Sequence, residues 1–143
     1  MDVRIREARA EDAAAVLALW SVSGIRPSVT DTPDHLRRLV ERVPDLLLVA
    51  ESDGRVVGSV LGGWDHWRGH IYRLAVHPAS RRGGVGRRLA AEIERRLRAR
   101  GARRIYALAS SEAGVAFWAS VGYERSRDTA YVRTFAVEDG GTD

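Results

Sequence analysis

The chain has no cysteine among its 143 residues, which excludes disulfides, thiolate metal sites and a cysteine nucleophile. Lysine, asparagine and glutamine are also absent, so all 23 basic residues are arginine. Residues with A-rich codons are missing together, the imprint of a G+C-rich genome rather than of a function. No apolar run approaches the roughly 18–20 residues of a membrane span. The opening stretch MDVRIREARAED lacks the apolar core of a secretory signal. A cytoplasmic location and no membrane partner are the expectations that follow.

Enough remains to build an ordinary globular core. Hydrophobic residues make up 45% of the chain, and a chain of this length buries roughly 68–70% of the surface it would expose unfolded. The sequence reads as one domain over 1–136 followed by a polar tail, 137–143. Its net charge of +4 and pI near 10.3 raise the possibility of a nucleic-acid partner. Arginine is interleaved with Glu and Asp through much of the chain, however, and no nucleic-acid motif is present, so no nucleic-acid partner is expected. The exception is 81–104, which holds ten of the arginines.

VRIREA (3–8) alternates as a half-exposed strand does, and RAEDAAAVLALWSVSG reads as a helix stopped by Gly24. Thr32 and Pro33 open a second helix, PDHLRRLVERV. DLLLVAE and RVVGSVLGGW are strands joined by an Asp-Gly hairpin, and WDHWRG turns into a third strand, HIYRLAVHP. A helix over 84–100 carries Val85, Leu89, Ile93 and Leu97 on one face and ends at Gly101. RRIYALA, SSEAGVAFWASVG and YERSRDTAYVRTFAV predict a strand, a helix and a closing hairpin. The expected order is β-α-α-β-β-β-α-β-α-β-β: an α/β fold with a mixed sheet and helices on both faces.

The segment HPASRRGGVGRRL sets three glycines and four arginines within 81–88, directly after a buried strand and directly before a helix. There the first helical N–H groups lack acceptors and the helix dipole is positive. Glycines let several N–H groups converge on a phosphate oxygen, and Arg81, Arg82, Arg87 and Arg88 add charge. A Walker A loop needs a lysine, and the dinucleotide fingerprint needs glycine where Leu89 stands, so both fail.

Arg81-x-x-Gly84-x-Gly86 after LAVHP resembles the acyl-CoA-binding motif of the GCN5-related N-acetyltransferase (GNAT) superfamily, in its small stand-alone bacterial type. AFWASVGYE (116–124) is similar to that family's second signature, and the likeness covers about 3–136. The resemblance implies acetyl-CoA as cosubstrate, no metal, and direct acetyl transfer to a primary amine of a small molecule or peptide. A homodimer through the closing hairpin is a further possibility. It implies that Leu74 and Val76 of a splayed strand, with Ala75 between them, bind the pantetheine through main-chain bonds, with the Val76 N–H as oxyanion donor. The pyrophosphate would rest on Arg82, Gly83, Gly84, Val85, Gly86 and Arg87, with Arg81 holding either the turn or a phosphate. Ser111 falls where the family often has an Asn that bonds the pantetheine.

The general acid departs from the pattern. The family's usual Tyr is replaced by Trp118, whose indole can donate a hydrogen bond to sulfur at the cofactor but is no practical proton donor. Three routes stay open: protonation by water, another tyrosine such as Tyr123 or Tyr131, or a non-catalytic acyl-CoA-binding or regulatory module. His70 lies near the family's usual base position, and imidazole titrates near neutrality. His66 and Asp65 are rivals, and Tyr72 lines the same strand. The acceptor pocket is expected between the first helix pair and the 64–69 turn, with Trp20, Arg26, Asp31, Trp64, Asp65 and Trp67 as candidates for its lining.

Overall fold

In the computed structural model, residues 2–136 are described. They form β1 (Arg4–Glu7), α1 (Ala13–Val22), α2 (Pro33–Arg42), β2 (Leu47–Ser52), β3 (Arg55–Trp64), β4 (Gly69–Val76), α3 (Val85–Arg100), β5 (Ile105–Ala107) and α4 (Glu112–Ser120). Local chemistry sets most boundaries. Thr32 accepts from the His35 N–H at 3.2 Å and Pro33 opens α2. Gly101, at φ +116, closes α3 through its N–H to the Arg98 carbonyl at 3.0 Å. Ser111 caps α4 by accepting from Gly114 N–H at 3.1 Å. Asp53 and Gly54, both at positive φ, make the β2–β3 turn.

The sheet runs β1-β2-β3-β4-β5, antiparallel except for the parallel β4–β5 pair. Both faces are covered, which is why β2 reads as a continuous apolar run. Leu46, Leu48 and Ala50 join Val60, Ile71 and the α3 residues Leu89, Ile93 and Leu97 in one core. Leu47 and Val49 join Val16, Leu19, Trp20 and Leu36 from α1 and α2 in the other. α3 sits close on β3 because two glycines face it. A Cβ on Gly58 would lie 2.9 Å from Leu89 Cδ1, and one on Gly62 would lie 2.8 Å from Ile93 Cδ1.

The mixed α/β class and the order through α4 match the sequence reading; among the described residues the closing hairpin does not form. Residues 121–136 carry no strand, and Tyr131 and Val132 are 93% and 92% exposed. These apolar neighbours in sequence would point to opposite faces of any strand, so pairing would leave one in water. The sheet edge on that side is β5, three residues long. β5 is itself shorter than RRIYALA suggests, because β4 leaves it after three pairs. Residues 137–143, expected as a polar tail, lie outside the described residues.

Candidate active site

At the middle of β4 the register changes. Ser59 faces Ala75 and Leu61 faces Tyr72, so Arg73 and Leu74 together oppose Val60 in a β-bulge. Arg73 takes φ +53, rare for a residue with a side chain. Its guanidinium makes two 3.0 Å bonds to the Asp31 carboxylate and one of 3.1 Å to the Arg26 carbonyl. The α1–α2 loop is thereby pinned to the bulge, and Asp31 is already paired. Pairing with β5 covers only Gly69–Ile71 against Ile105–Ala107, with a last bond from Leu108 N–H to the Ile71 carbonyl at 3.1 Å. Beyond it the two strands part. The bond from His77 N–H to the Val57 carbonyl (2.8 Å) fixes the alternation of the ladder, turning the N–H and C=O of Val76 away from β3 and into that gap.

The chain then enters the glycine–arginine turn. Arg82 and Gly84 both take positive φ, +73 and +78, and Gly84 opens α3 without a side-chain cap. Among the described residues, no acceptor meets the N–H groups of Arg82 through Arg87. The first bond of α3 runs from Arg88 N–H to the Gly84 carbonyl at 3.1 Å. A Cβ on Gly84 would meet nothing within 4 Å, so glycine serves the backbone conformation there. A Cβ on Gly86 would lie 3.4 Å from the Phe117 ring and 3.7 Å from Val76 Cγ2, which together floor the turn. Arg81 donates to the carbonyls of Val76 and Ser23, each at 3.3 Å, and so holds the turn against β4 and the end of α1. Arg87 reaches Ser120, and Arg88 points away to the Val3 carbonyl.

At the other end of β4, Ile71 packs on α3, so His70 and Tyr72 face the α1–α2 side. The His70 ring stacks at 5.9 Å and 17° on both Tyr72 and Tyr106. Asp65 Oδ1 accepts from the N–H groups of Arg68 (2.7 Å) and Trp67 (2.9 Å), which hold its carboxyl below the ordinary range. Its Oδ2 lies 3.7 Å from His70 Nε2. Burial, then the Asp65 charge, pushes the Tyr72 hydroxyl up. Trp67 is exposed, with the Arg68 guanidinium 3.9 Å above its ring. Tyr106, Arg68 and Arg104 were not singled out from sequence. The only available signal was the register that sets Tyr106 beside His70.

Several other candidates lie elsewhere. Trp20 is buried, its indole N–H on Ser59 Oγ at 2.9 Å. Trp64 packs on the α3 side, where a Cβ on Gly101 would lie 3.7 Å from its ring, so it sits across the sheet from His70. Trp118 is buried edge-on between Phe117 and Tyr123. The Tyr123 hydroxyl donates to Glu94 at 3.0 Å and is pushed up by burial and then by that carboxylate. Glu94 is eight residues along α3 from Gly86, about 12 Å along the axis. Arg26 and His66 are exposed, and Ser111 Oγ is engaged as the α4 cap. Among the described residues no cluster of His, Asp and Glu could hold a metal, and no helix is long and apolar enough to cross a membrane.

A profile of the acetyltransferase (GNAT) family matches residues 13–123. The chain belongs to the GNAT family. An acetyltransferase of Pectobacterium atrosepticum is 36% identical over 124 residues, covering 85% of this chain and 88% of that one. Another from Photorhabdus laumondii is 39% identical over 103 residues, 72% of each. Among solved structures, the PaiA N-acetyltransferase of Thermoplasma acidophilum, in complex with coenzyme A, superposes with TM-score 0.77 at 18% identity, over 90% of this chain and 94% of that one. Ard1 of Thermoplasma volcanium gives 0.77 at 21%, over 88% and 85%. These structures share the fold. As a GNAT protein the chain is an N-acetyltransferase, acting by acyl-CoA-dependent acetyl transfer.

Proposed function

We propose that the protein transfers acetyl from acetyl-CoA directly to a primary amine of a small molecule or peptide, within a single domain spanning 1–136. The observation that carries this reading is the run of unpartnered amides at 82–87 beside the open edge of β4. That cradle fits a diphosphate: the donors are main-chain, a helix N-terminus adds its dipole, and no Cβ at Gly84 obstructs approach. The likeness of fold to a structure solved with coenzyme A supports coenzyme A as the kind of ligand.

When bound, acetyl-CoA supplies the activated acetyl thioester. Leu74 and Val76 would hold the pantetheine arm along the gap with the thioester toward the bulge at Arg73 and Leu74, where a main-chain N–H of β4 would donate to the acetyl carbonyl oxygen as charge gathers there. Alkyl amines, with pKa near ~10, arrive protonated at neutral pH, so a base must act first. His70 takes that proton, directly or through a water, with Asp65 Oδ2 3.7 Å from its Nε2. Trp118 and Tyr123 are turned to packing and to Glu94, which supports water as the proton source for the departing sulfur.

Thermal melting with and without acetyl-CoA, followed by thiol release over an amine panel, tests the reading. A rise in Tm and amine-dependent release of CoA are expected. No shift at millimolar acetyl-CoA contradicts it.

A further inference from the structure

We propose that Arg68 and Arg104, gathered on the hydroxyl of Tyr106, form an anion subsite, and that the acceptor is therefore an amine that also carries a carboxylate. The proposal rests on the acetyltransferase reading above and specifies its second substrate. Arg68 Nη1 lies 2.6 Å from the Tyr106 oxygen and Arg104 Nε 3.2 Å from it. Both guanidiniums also lean over the Tyr106 ring, at 5.5 and 5.4 Å from its centre.

Two guanidiniums share one hydroxyl oxygen here, an arrangement different from the carboxylate-paired arginines of the chain. Arg6, Arg73, Arg96 and Arg100 each meet a carboxylate within hydrogen-bond distance. Among the described residues, neither Arg68 nor Arg104 has a carboxylate oxygen within 4.0 Å. Asp65, the nearest acid in sequence to Arg68, spends Oδ1 on main-chain N–H groups. Each guanidinium engages Tyr106 through a single nitrogen, leaving donors of a planar fork whose natural complement is a carboxylate.

An anion is already drawn to the place. The Tyr106 hydroxyl donates to Asp128 Oδ2 at 3.4 Å, and Asp128 belongs to the segment that forms no strand. Accepting from two arginines and donating to Asp128 uses the full capacity of a phenol. Asp128 thus stands where an acceptor's carboxylate would bind. The location suits the chemistry: Tyr106 stacks on His70, the proposed base, so amine and carboxylate of one small molecule fall within reach of the two groups.

The test compares α-amino acids and β-alanine with their carboxamides as acceptors, and β-alanine with phosphoethanolamine. CoA release gives kcat/KM for each. The wild type should favour the free acid about 10- to 100-fold, the range for charge-assisted hydrogen bonds. Arg68→Ala and Arg104→Ala should each lower that ratio by raising KM for the acid, leaving KM for acetyl-CoA and its effect on Tm unchanged. Arg68→Lys should keep part of the preference, and Asp128→Asn should lower KM for the acids. The proposal is overturned if amides react as well as acids, if phosphoethanolamine is preferred, or if no carboxylate-bearing amine is acetylated while acetyl-CoA still raises Tm. Failure of acetyl-CoA to bind at all would instead overturn the reading on which the proposal rests.

Discussion

The two ends of β4 are built from different materials. At its C-terminal end the turn 81–87 offers backbone: bare N–H groups, glycines, and arginines that brace the turn or point elsewhere. At its N-terminal end, His70 and its surroundings offer side chains: a histidine, Tyr72 and Tyr106 stacked on it, the Asp65 carboxylate, and Arg68 and Arg104. In the proposed function, backbone donors recognise what is common to every acyl-CoA, and one short stretch of chain provides them. The side chains proposed to select an acceptor are assembled from segments 36 residues apart, Arg68 and Arg104. One end is generic and local; the other is particular and tertiary.

Mutations that strike one end and spare the other would break or sharpen that division. The largest effect is expected for His70→Ala, with kcat down about 10²- to 10⁴-fold at neutral pH. The rate should recover as pH rises and the amine deprotonates unaided, while acetyl-CoA affinity stays at the wild-type value. Steady-state rates across pH, with calorimetry of acetyl-CoA binding, check both halves. Gly84→Val should do the reverse. A β-branched residue at φ +78 is strained by about 1–3 kcal/mol and misaims the amides, raising the acetyl-CoA Kd on the order of 10²-fold. Calorimetric titration measures it. Gly62→Val strikes neither end directly but drives a side chain into Ile93. Overpacking of about 1–3 kcal/mol should lower Tm by several degrees, read by thermal melting.

The smallest effect is on acid stability. The Arg6 guanidinium holds the Asp12 carboxyl below its ordinary range, and Arg95 with Arg96 hold Glu92 at about 2 against an ordinary 4.5. Both groups are depressed by folding, so their stabilisation is complete above the ordinary carboxylate range and is lost as pH falls through the folded values. Tm should therefore decline between pH 4.5 and about 2. Asp12→Asn should flatten that decline in a pH series of melting curves.

What was legible in the sequence follows the same division. Gly84, Gly101, the Asp53-Gly54 turn and the cap at Thr32 announce themselves because backbone geometry restricts residue type locally. The four-residue repeat of α3 did the same for its buried face. Side-chain placement was less legible. Trp64 sits across the sheet from His70 because strand parity assigns it to the α3 side. Trp20 looks like a pocket wall in a loop-flanking helix, yet the α1 face it shares is core. The closing hairpin had the composition of strands without an edge long enough to receive them. Tyr106, in a short strand between helices, gave no sign that Arg68 and Arg104 would meet on it.

Amide chemical shifts of isotope-labelled protein, followed during titration with coenzyme A, test the central claim most directly. The account predicts that the N–H signals of Arg82 to Arg87, with that of Val76, move most and become protected from exchange. Signals of 82–87 that stay fixed while the protein binds coenzyme A elsewhere would contradict it.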